Sequence, residues 1–263
     1  MGYVIAEDGA QLYYRDWGPC GGPVVVLSHG WPRHSDQWEV PALFLARHGF
    51  RVIAYDRRGH GRSAQTWDGN DLDGYADDLA LVVQHLELGA FSLVGSSTGT
   101  AEVCRYLRRH GTDRVQRLVL ASTVTPGGVP AAVAAALLEG SLRDRAQLYA
   151  DLAADVYYGR DGVSAGVRLA FQWQALQAGA HNAYAALAAC TAVDLHADVA
   201  ACRVPTLIVH GDADRIAPAD TAGRATAALL DRASLLLYPG AAHGLTETHA
   251  ERFNADLLAF LQS

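Results

Sequence analysis

No apolar stretch in this 263-residue sequence reaches the length of a membrane span, because Arg, Asp or Gly interrupts the longest runs within a few residues. Met1 to Gly9 lacks both a basic start and an apolar signal core, so a cytoplasmic location is the expectation. Cysteine is sparse: Cys20, Cys104, Cys190 and Cys202 are scattered with no Cys-x-x-Cys pair, which argues against a zinc site or a disulfide framework. Cys104 reads as a small buried residue. The eleven histidines include no His-Glu-x-x-His or similar metal spacing. Positive charge is in deficit, at a net −7, which argues against a nucleic-acid partner. The densest basic cluster, Arg105, Arg108, Arg109 and His110, falls where cations favour a helix carboxyl end.

What remains is an ordinary globular composition, half apolar and 19% charged. Its apolar segments are spread evenly enough for one large α/β domain with an insertion. The opening reads as a hairpin: Tyr3 to Ala6, a Glu7-Asp8-Gly9 turn, then Gln11 to Asp16. Val24 to Ser28 is a continuous apolar run of the kind a doubly covered parallel strand shows. Further strands are expected at Arg51 to Tyr55, Phe91 to Val94, Val115 to Ser122, Thr206 to His210 and Ser234 to Tyr238. Helical patterns alternate with them. Leu72, Tyr75, Leu79, Val82, Val83 and Leu86 recur at helical spacing, with Gly89 expected to end that helix. Strand–helix alternation implies right-handed crossovers and a mostly parallel sheet.

From 125 to 201 the texture changes to short Ala- and Leu-rich helical patterns punctuated by Pro130, Gly140, Gly159, Gly162 and Gly179. The expectation is a core of residues 1–124 and 202–263, with 125–201 inserted as a helical cap over the carboxyl edge of the sheet. Phe171, Trp173, Leu176, Tyr184 and Leu187 are candidates to line a pocket beneath it.

Chemistry concentrates at Gly95-Ser96-Ser97-Thr98-Gly99, between a predicted strand and the helix-compatible segment Thr100 to His110. A nucleophile elbow needs that order of strand, sharp turn and helix, with glycines where no side chain fits. Ser97 is therefore the candidate nucleophile. A serine hydroxyl needs an imidazole to take its proton and a carboxylate to orient that imidazole. Asp214 and His243 follow in that order, each just beyond the carboxyl end of a predicted strand. Asp212 competes with Asp214 for the acid role. His249, at the start of the last predicted helix, competes weakly with His243.

Together with the elbow, Ser28-His29-Gly30-Trp31-Pro32 and Tyr55-Asp56-Arg57-Arg58-Gly59-His60-Gly61-Arg62-Ser63 make the chain resemble an α/β hydrolase of the cofactor-free haloperoxidase, aryl esterase and perhydrolase group. The likeness runs over essentially the whole length. It includes Ala101-Glu102-Val103, Arg109-His110-Gly111 and Val204-Pro205-Thr206. It implies an α/β-hydrolase fold: a mostly parallel central sheet flanked by helices, with an inserted cap. It also implies an oxyanion hole from the backbone N–H groups of Trp31 and Thr98, and the acid at the second Asp of Gly-Asp-x-Asp, which is Asp214. His29, Asp56, Arg57, His60 and Arg62 become loop scaffold rather than chemistry. Pro32 matches relatives known for perhydrolysis. The elbow departs from the group's usual text at Ser96, where an aromatic is common, and at Thr100, where a third Gly is expected.

The resemblance implies a serine carboxylesterase for a small or medium acyl ester, with perhydrolase- or haloperoxidase-like side activity and no metal or other cofactor. Asp or Glu at the nucleophile position, as haloalkane dehalogenases and epoxide hydrolases of this fold require, is absent. A second reading is a lyase, acyltransferase or cyclising enzyme using the same site, and a third is a ligand receptor with poor turnover. A small-molecule acyl substrate is the expected partner, with neither nucleic acid nor membrane. The sequence leaves homo-oligomerisation open.

Overall fold

The computed structural model describes residues 1–160, 162–191 and 193–263. Among them eight strands form one sheet: β1 (Gly2–Ile5), β2 (Gln11–Trp17), β3 (Val24–Ser28), β4 (Arg51–Tyr55), β5 (Phe91–Ser96), β6 (Val115–Ala121), β7 (Thr206–Gly211) and β8 (Ala233–Tyr238). Their order is β1-β2-β4-β3-β5-β6-β7-β8. The β1/β2 and β2/β4 pairs are antiparallel, and every pair from β4 to β8 is parallel. The sheet is the mostly parallel α/β sheet that the strand–helix alternation predicts.

The helices are α1 (Glu39–Arg47), α2 (Leu72–His85), α3 (Thr98–His110), α4 (Ala131–Arg143), α5 (Arg145–Asp151), α6 (Ala165–Leu176), α7 (Ala180–Thr191), α8 (His196–Ala200), α9 (Gly223–Ala228), α10 (Leu245–Thr248) and α11 (Ala250–Gln262). A π-helical turn, Leu152–Val156, follows α5. None of the described helices is long and apolar enough to cross a membrane.

Because successive strand residues point to opposite faces, the apolar runs of β3, β5, β6 and β7 serve two cores at once. Val26, Leu93, Leu118, Leu120 and Ile208 pack on one face, against Leu79 and Val82 of α2 and Val103 and Leu107 of α3. Val25, Leu27, Val94, Val119, Leu207 and Val209 pack on the other, against Leu45 of α1 and Phe253 and Leu257 of α11. Each such side chain contributes about 1.5–3 kcal/mol on full burial. A third apolar cluster lies at the carboxyl end of the sheet. There Leu137, Tyr149, Leu152, Tyr157, Phe171 and Leu187, from the segments between β6 and β7, bury against Trp31, Ala101 and Ile216. The last of those segments, α8, reaches the main core instead: Val199 belongs to the α2/α3 cluster, and Asp198 accepts from Arg105 Nε at 2.6 Å.

The α2 helix starts where Asp71 caps the N–H of Gly74 at 2.8 Å. Its end corrects the sequence expectation. The left-handed residue is Glu87, at φ 49°, rather than Gly89. The basic cluster at the end of α3 is held by carboxylates: Arg109 and His110 by Asp77, and Arg105 by Asp73 and Asp198.

Candidate active site

The elbow takes its shape from what surrounds it. Ser97 sits at φ 53° and ψ −122°, between the end of β5 and the first turn of α3. A non-glycine residue there stores strain of order 1–3 kcal/mol, which the neighbouring structure must hold in place. The flanking glycines supply the room. A Cβ on Gly95 would stand 2.7 Å from the Gly99 carbonyl oxygen, and one on Gly99 would stand 2.6 Å from that of Ser28. The β5 strand and α3 therefore meet β3 at backbone distance, and the Ser97 side chain is left projecting from the end of the sheet.

The two unusual elbow residues each tie the turn down. Ser96 Oγ accepts from Gln37 Nε2 at 2.9 Å, and Gln37 Oε1 accepts the Gly30 N–H at 2.9 Å, so one side chain couples the elbow to the loop after β3. Thr100 donates to the Ser97 carbonyl and accepts from Thr123 Oγ1 at 3.0 Å and from the Val124 N–H at 3.2 Å. Thr123 in turn meets Thr125 Oγ1 at 2.7 Å, and Thr125 meets Thr226 Oγ1 at 2.9 Å. All four threonines are buried. Their hydroxyls form a satisfied chain from α9 to the nucleophile turn, which leaves no cost of a stranded polar group.

Ser97 Oγ lies 2.8 Å from His243 Nε2, and His243 Nδ1 lies 2.7 Å from Asp214 Oδ2. All three residues are buried. Asp214 Oδ1 accepts the N–H groups of Ile216 and Ala217, each at 2.9 Å. Burial by itself pushes the Asp214 carboxyl up. The facing His243 and those backbone bonds outweigh it and hold the group below the usual carboxylate range. The competing residues are engaged elsewhere. Asp212 is exposed and takes the Gly240 N–H at 2.6 Å, and His249 Nδ1 pairs with the Thr248 hydroxyl at 2.8 Å.

Trp31 and Thr98 border the same cavity as Ser97 and His243. The Trp31 indole is fixed by its Nε1–H, which donates to the Ala183 carbonyl of α7 at 2.7 Å. Thr98 opens α3, so its backbone N–H belongs to the unpaired amino-terminal turn, where the helix dipole favours an anion.

The residues read as scaffold tie the loops after β3 and β4 together. His29 Nε2 accepts the Arg57 N–H at 3.0 Å, and Asp56 accepts from the Ser35 and Arg62 N–H groups at 2.9 and 2.8 Å. Arg57 meets Glu102 in a buried ion pair at 2.8 Å. Glu102 Oε2 also accepts from Ser28 Oγ at 2.8 Å, and Oε1 accepts from the Tyr55 hydroxyl. Sequence reasoning quoted Glu102 without giving it this role. The signal available was an acidic residue one turn into a helix whose neighbours are all apolar or small.

The cavity holds about 20 Å³, room for little more than one water. Of the five residues suggested as its lining, Phe171 and Leu187 are there. Trp173 and Leu176 are exposed, and Tyr184 is half-buried away from the cavity. Val129, Leu137, Leu152, Tyr157 and Ile216 complete the apolar wall and were missed. Among the described residues no group of His, Cys, Asp or Glu is arranged to hold a metal ion.

The family model described as alpha/beta hydrolase fold matches residues 23–250. The chain is 41% identical over 276 aligned positions, covering all of both chains, to the bifunctional esterase/perhydrolase of Acinetobacter calcoaceticus. It is 42% identical, again over 276 positions and all of both chains, to a non-heme haloperoxidase of Rhodococcus erythropolis. The crystal structure of a bromoperoxidase from Bacillus anthracis matches with a TM-score of 0.94 over all of both chains, at 33% identity.

Proposed function

The chain belongs to the alpha/beta hydrolase family, and from that premise we propose that it is a serine carboxylesterase acting on a small or medium acyl ester. The observation that carries this is the unbroken line from Ser97 Oγ through His243 to Asp214, at 2.8 and 2.7 Å, beside a small apolar chamber. In this reading Ser97 attacks the ester carbonyl while His243 takes the hydroxyl proton. The imidazolium then returns that proton to the departing alkoxide, which leaves as the alcohol. Asp214 holds the Nδ1–H tautomer of His243 and stabilises its charged form.

The negative charge of each tetrahedral intermediate falls on one oxygen. The N–H groups of Trp31 and Thr98 are assigned to it, and fixed donors of this kind are each worth about 10²–10³ in turnover. Water activated by His243 adds to the acyl-serine, giving the free acid and restoring Ser97. Hydrogen peroxide in place of water gives a peracid by the same step. The esterase/perhydrolase relative and Pro32 support that side activity. Neither step calls for a metal, haem, flavin or nicotinamide. Helices α4 to α7, between β6 and β7, act as the cap that shields the chamber from bulk solvent. The names of the relatives favour this reading over a non-hydrolytic one.

Hydrolysis of p-nitrophenyl acetate and butyrate by the unaltered chain and by Ser97→Ala tests the proposal. The expected result is a burst of p-nitrophenol in the former and a loss of at least about 10³-fold in kcat in the latter. An inert unaltered chain, or a Ser97→Ala variant of equal rate, overturns it.

A further inference from the structure

The chamber beside Ser97 is too small for the substrate it is proposed to process. With about 20 Å³ of free space, it has no room for an ester beyond the reacting carbonyl and its immediate neighbours. The rest of the substrate must leave the chamber on some side.

One wall has a second face. Leu137, Leu152 and Ile216 line the chamber and also floor a groove of about 480 Å³ that opens to solvent. The groove runs between Ala132, Val133 and Ala136 on α4, Leu148 on α5, Val156 in the π-helical turn, and Arg215 beside Ile216 in the Asp214 loop. Its lining is almost wholly aliphatic. The two charged groups at its edge are otherwise engaged. Arg215 pairs with Asp155 at 2.7 Å, and Asp151 accepts from Gln147 Nε2 at 2.8 Å. Both lie at the rim and leave the floor of the groove aliphatic. The wall between groove and chamber is three aliphatic side chains, none of which has a side-chain hydrogen bond to break if it turns aside.

The geometry points to this groove as a binding site for an extended apolar chain carried by the ester, threaded past Leu137, Leu152 and Ile216 into the chamber. The inference rests on the esterase reading above and adds a substrate class to it. Esters with one short and one long aliphatic arm are the preferred substrates, and the outer part of the long arm lies against α4.

Chain-length kinetics test it. p-Nitrophenyl esters from acetate to decanoate extend the acyl arm, and alkyl acetates from ethyl to octyl extend the alcohol arm. In one of the two series kcat/KM rises with length, by up to about fourfold for each methylene that becomes buried. The series that rises identifies the arm that lies in the groove. Ala136→Trp fills the groove from an exposed position that lines only its outer part. That variant keeps the acetate rate within about twofold and loses the rise. As a readout without turnover, decanoate raises the Tm of the unaltered chain and not that of Ala136→Trp.

Flat profiles in both series with active acetate hydrolysis overturn the groove while leaving the esterase reading intact. So do identical profiles for Ala136→Trp and the unaltered chain. An unaltered chain inert toward every ester of both series overturns both.

Discussion

At the scale of single residues, the choice between Asp212 and Asp214 is made by backbone rather than by side-chain type. Both aspartates stand in the loop after β7. Asp214 has one oxygen saturated by the Ile216 and Ala217 N–H groups, which fixes the other against His243 Nδ1. Asp212 faces the Gly240 N–H from the exposed side. Asp214→Asn keeps the shape but presents an amide N–H to Nδ1, which forces the imidazole proton onto Nε2, toward Ser97. Steady-state kinetics on p-nitrophenyl acetate are expected to show kcat down by about 10⁴-fold with KM little changed. Asp212→Asn should stay within a few-fold of the unaltered chain. Equal losses in the two variants would remove Asp214 from the proposed mechanism. Ser97, Asp214 and His243 were legible because each belongs to a short motif with a required order. Tyr157 and Leu152 were not, since in an Ala- and Leu-rich segment every apolar residue looks alike until packing selects among them, and neither was Ile216, in a loop with no periodicity to give its side chain a direction.

At the scale of elements, the sequence placed the strands closely because runs such as Val24 to Ser28 and Phe91 to Val94 have no other use for their length. Helix ends were harder. Gly89 looked like the stop after α2, yet the chain turns two residues earlier at Glu87, where the Glu87 and Leu88 N–H groups bond back to Gln84 and Val83. The elbow is the element whose local rule and tertiary role agree most closely. Gly99 does not need its conformational freedom, for its φ is not positive; it needs an absent side chain. A Cβ there meets the Ser28 and His29 carbonyl oxygens at 2.6 and 2.7 Å, both backbone atoms that cannot swing away. Gly99→Ala must therefore push α3 off β3. The expected cost is about 1–3 kcal/mol in a denaturant titration, with a larger proportional loss of kcat because Ser97 and the Thr98 N–H move with the helix start. A variant as stable and active as the unaltered chain would show that this contact is not tight. Ser96 and Thr100, which break the group's usual text at the same element, are the ones the sequence could flag without explaining. Their partners Gln37, in the 3₁₀ turn Ser35–Trp38, and Thr123, in the loop after β6, are brought within reach only by the folded sheet.

For the molecule as a whole, the response to acid is written in three buried imidazoles outside the proposed triad. Burial is the largest influence on each. It pushes His29 well below the ordinary value of 6.5, with Arg57 adding to it, and takes His60 down to about 3. It also lowers His210, against the opposing pull of Asp214. All three are neutral in the fold and become cationic in the unfolded chain below about pH 6.5. The unfolded state then binds more protons, so stability is full above pH 6.5 and is lost as pH falls from there toward the folded values. Each group contributes at most about 1.4 kcal/mol per pH unit while it stays neutral in the fold, as His60 does over this whole window. Against a total of about 5–15 kcal/mol, even one such group is a visible loss over two units. Carboxylates with lowered values, Asp36 and Asp214 among them, add nothing to this window, because their unfolded forms take up protons only near pH 4. The urea midpoint should therefore fall between pH 6.5 and 5, opposed in part by Asp78, whose carboxyl burial pushes up to about 6 so that the folded state takes up a proton there. His60 offers the cleanest check, since its Nδ1 faces only the Arg58 carbonyl at 3.0 Å and its Nε2 has no partner among the described residues. His60→Gln removes one titrating group from the buried set, so its midpoint should depend on pH less steeply than that of the unaltered chain, whatever its stability at pH 7.5. A midpoint that stays level from pH 6.5 to 5, or an unchanged slope in His60→Gln, would mean that these imidazoles reach water before the chain unfolds.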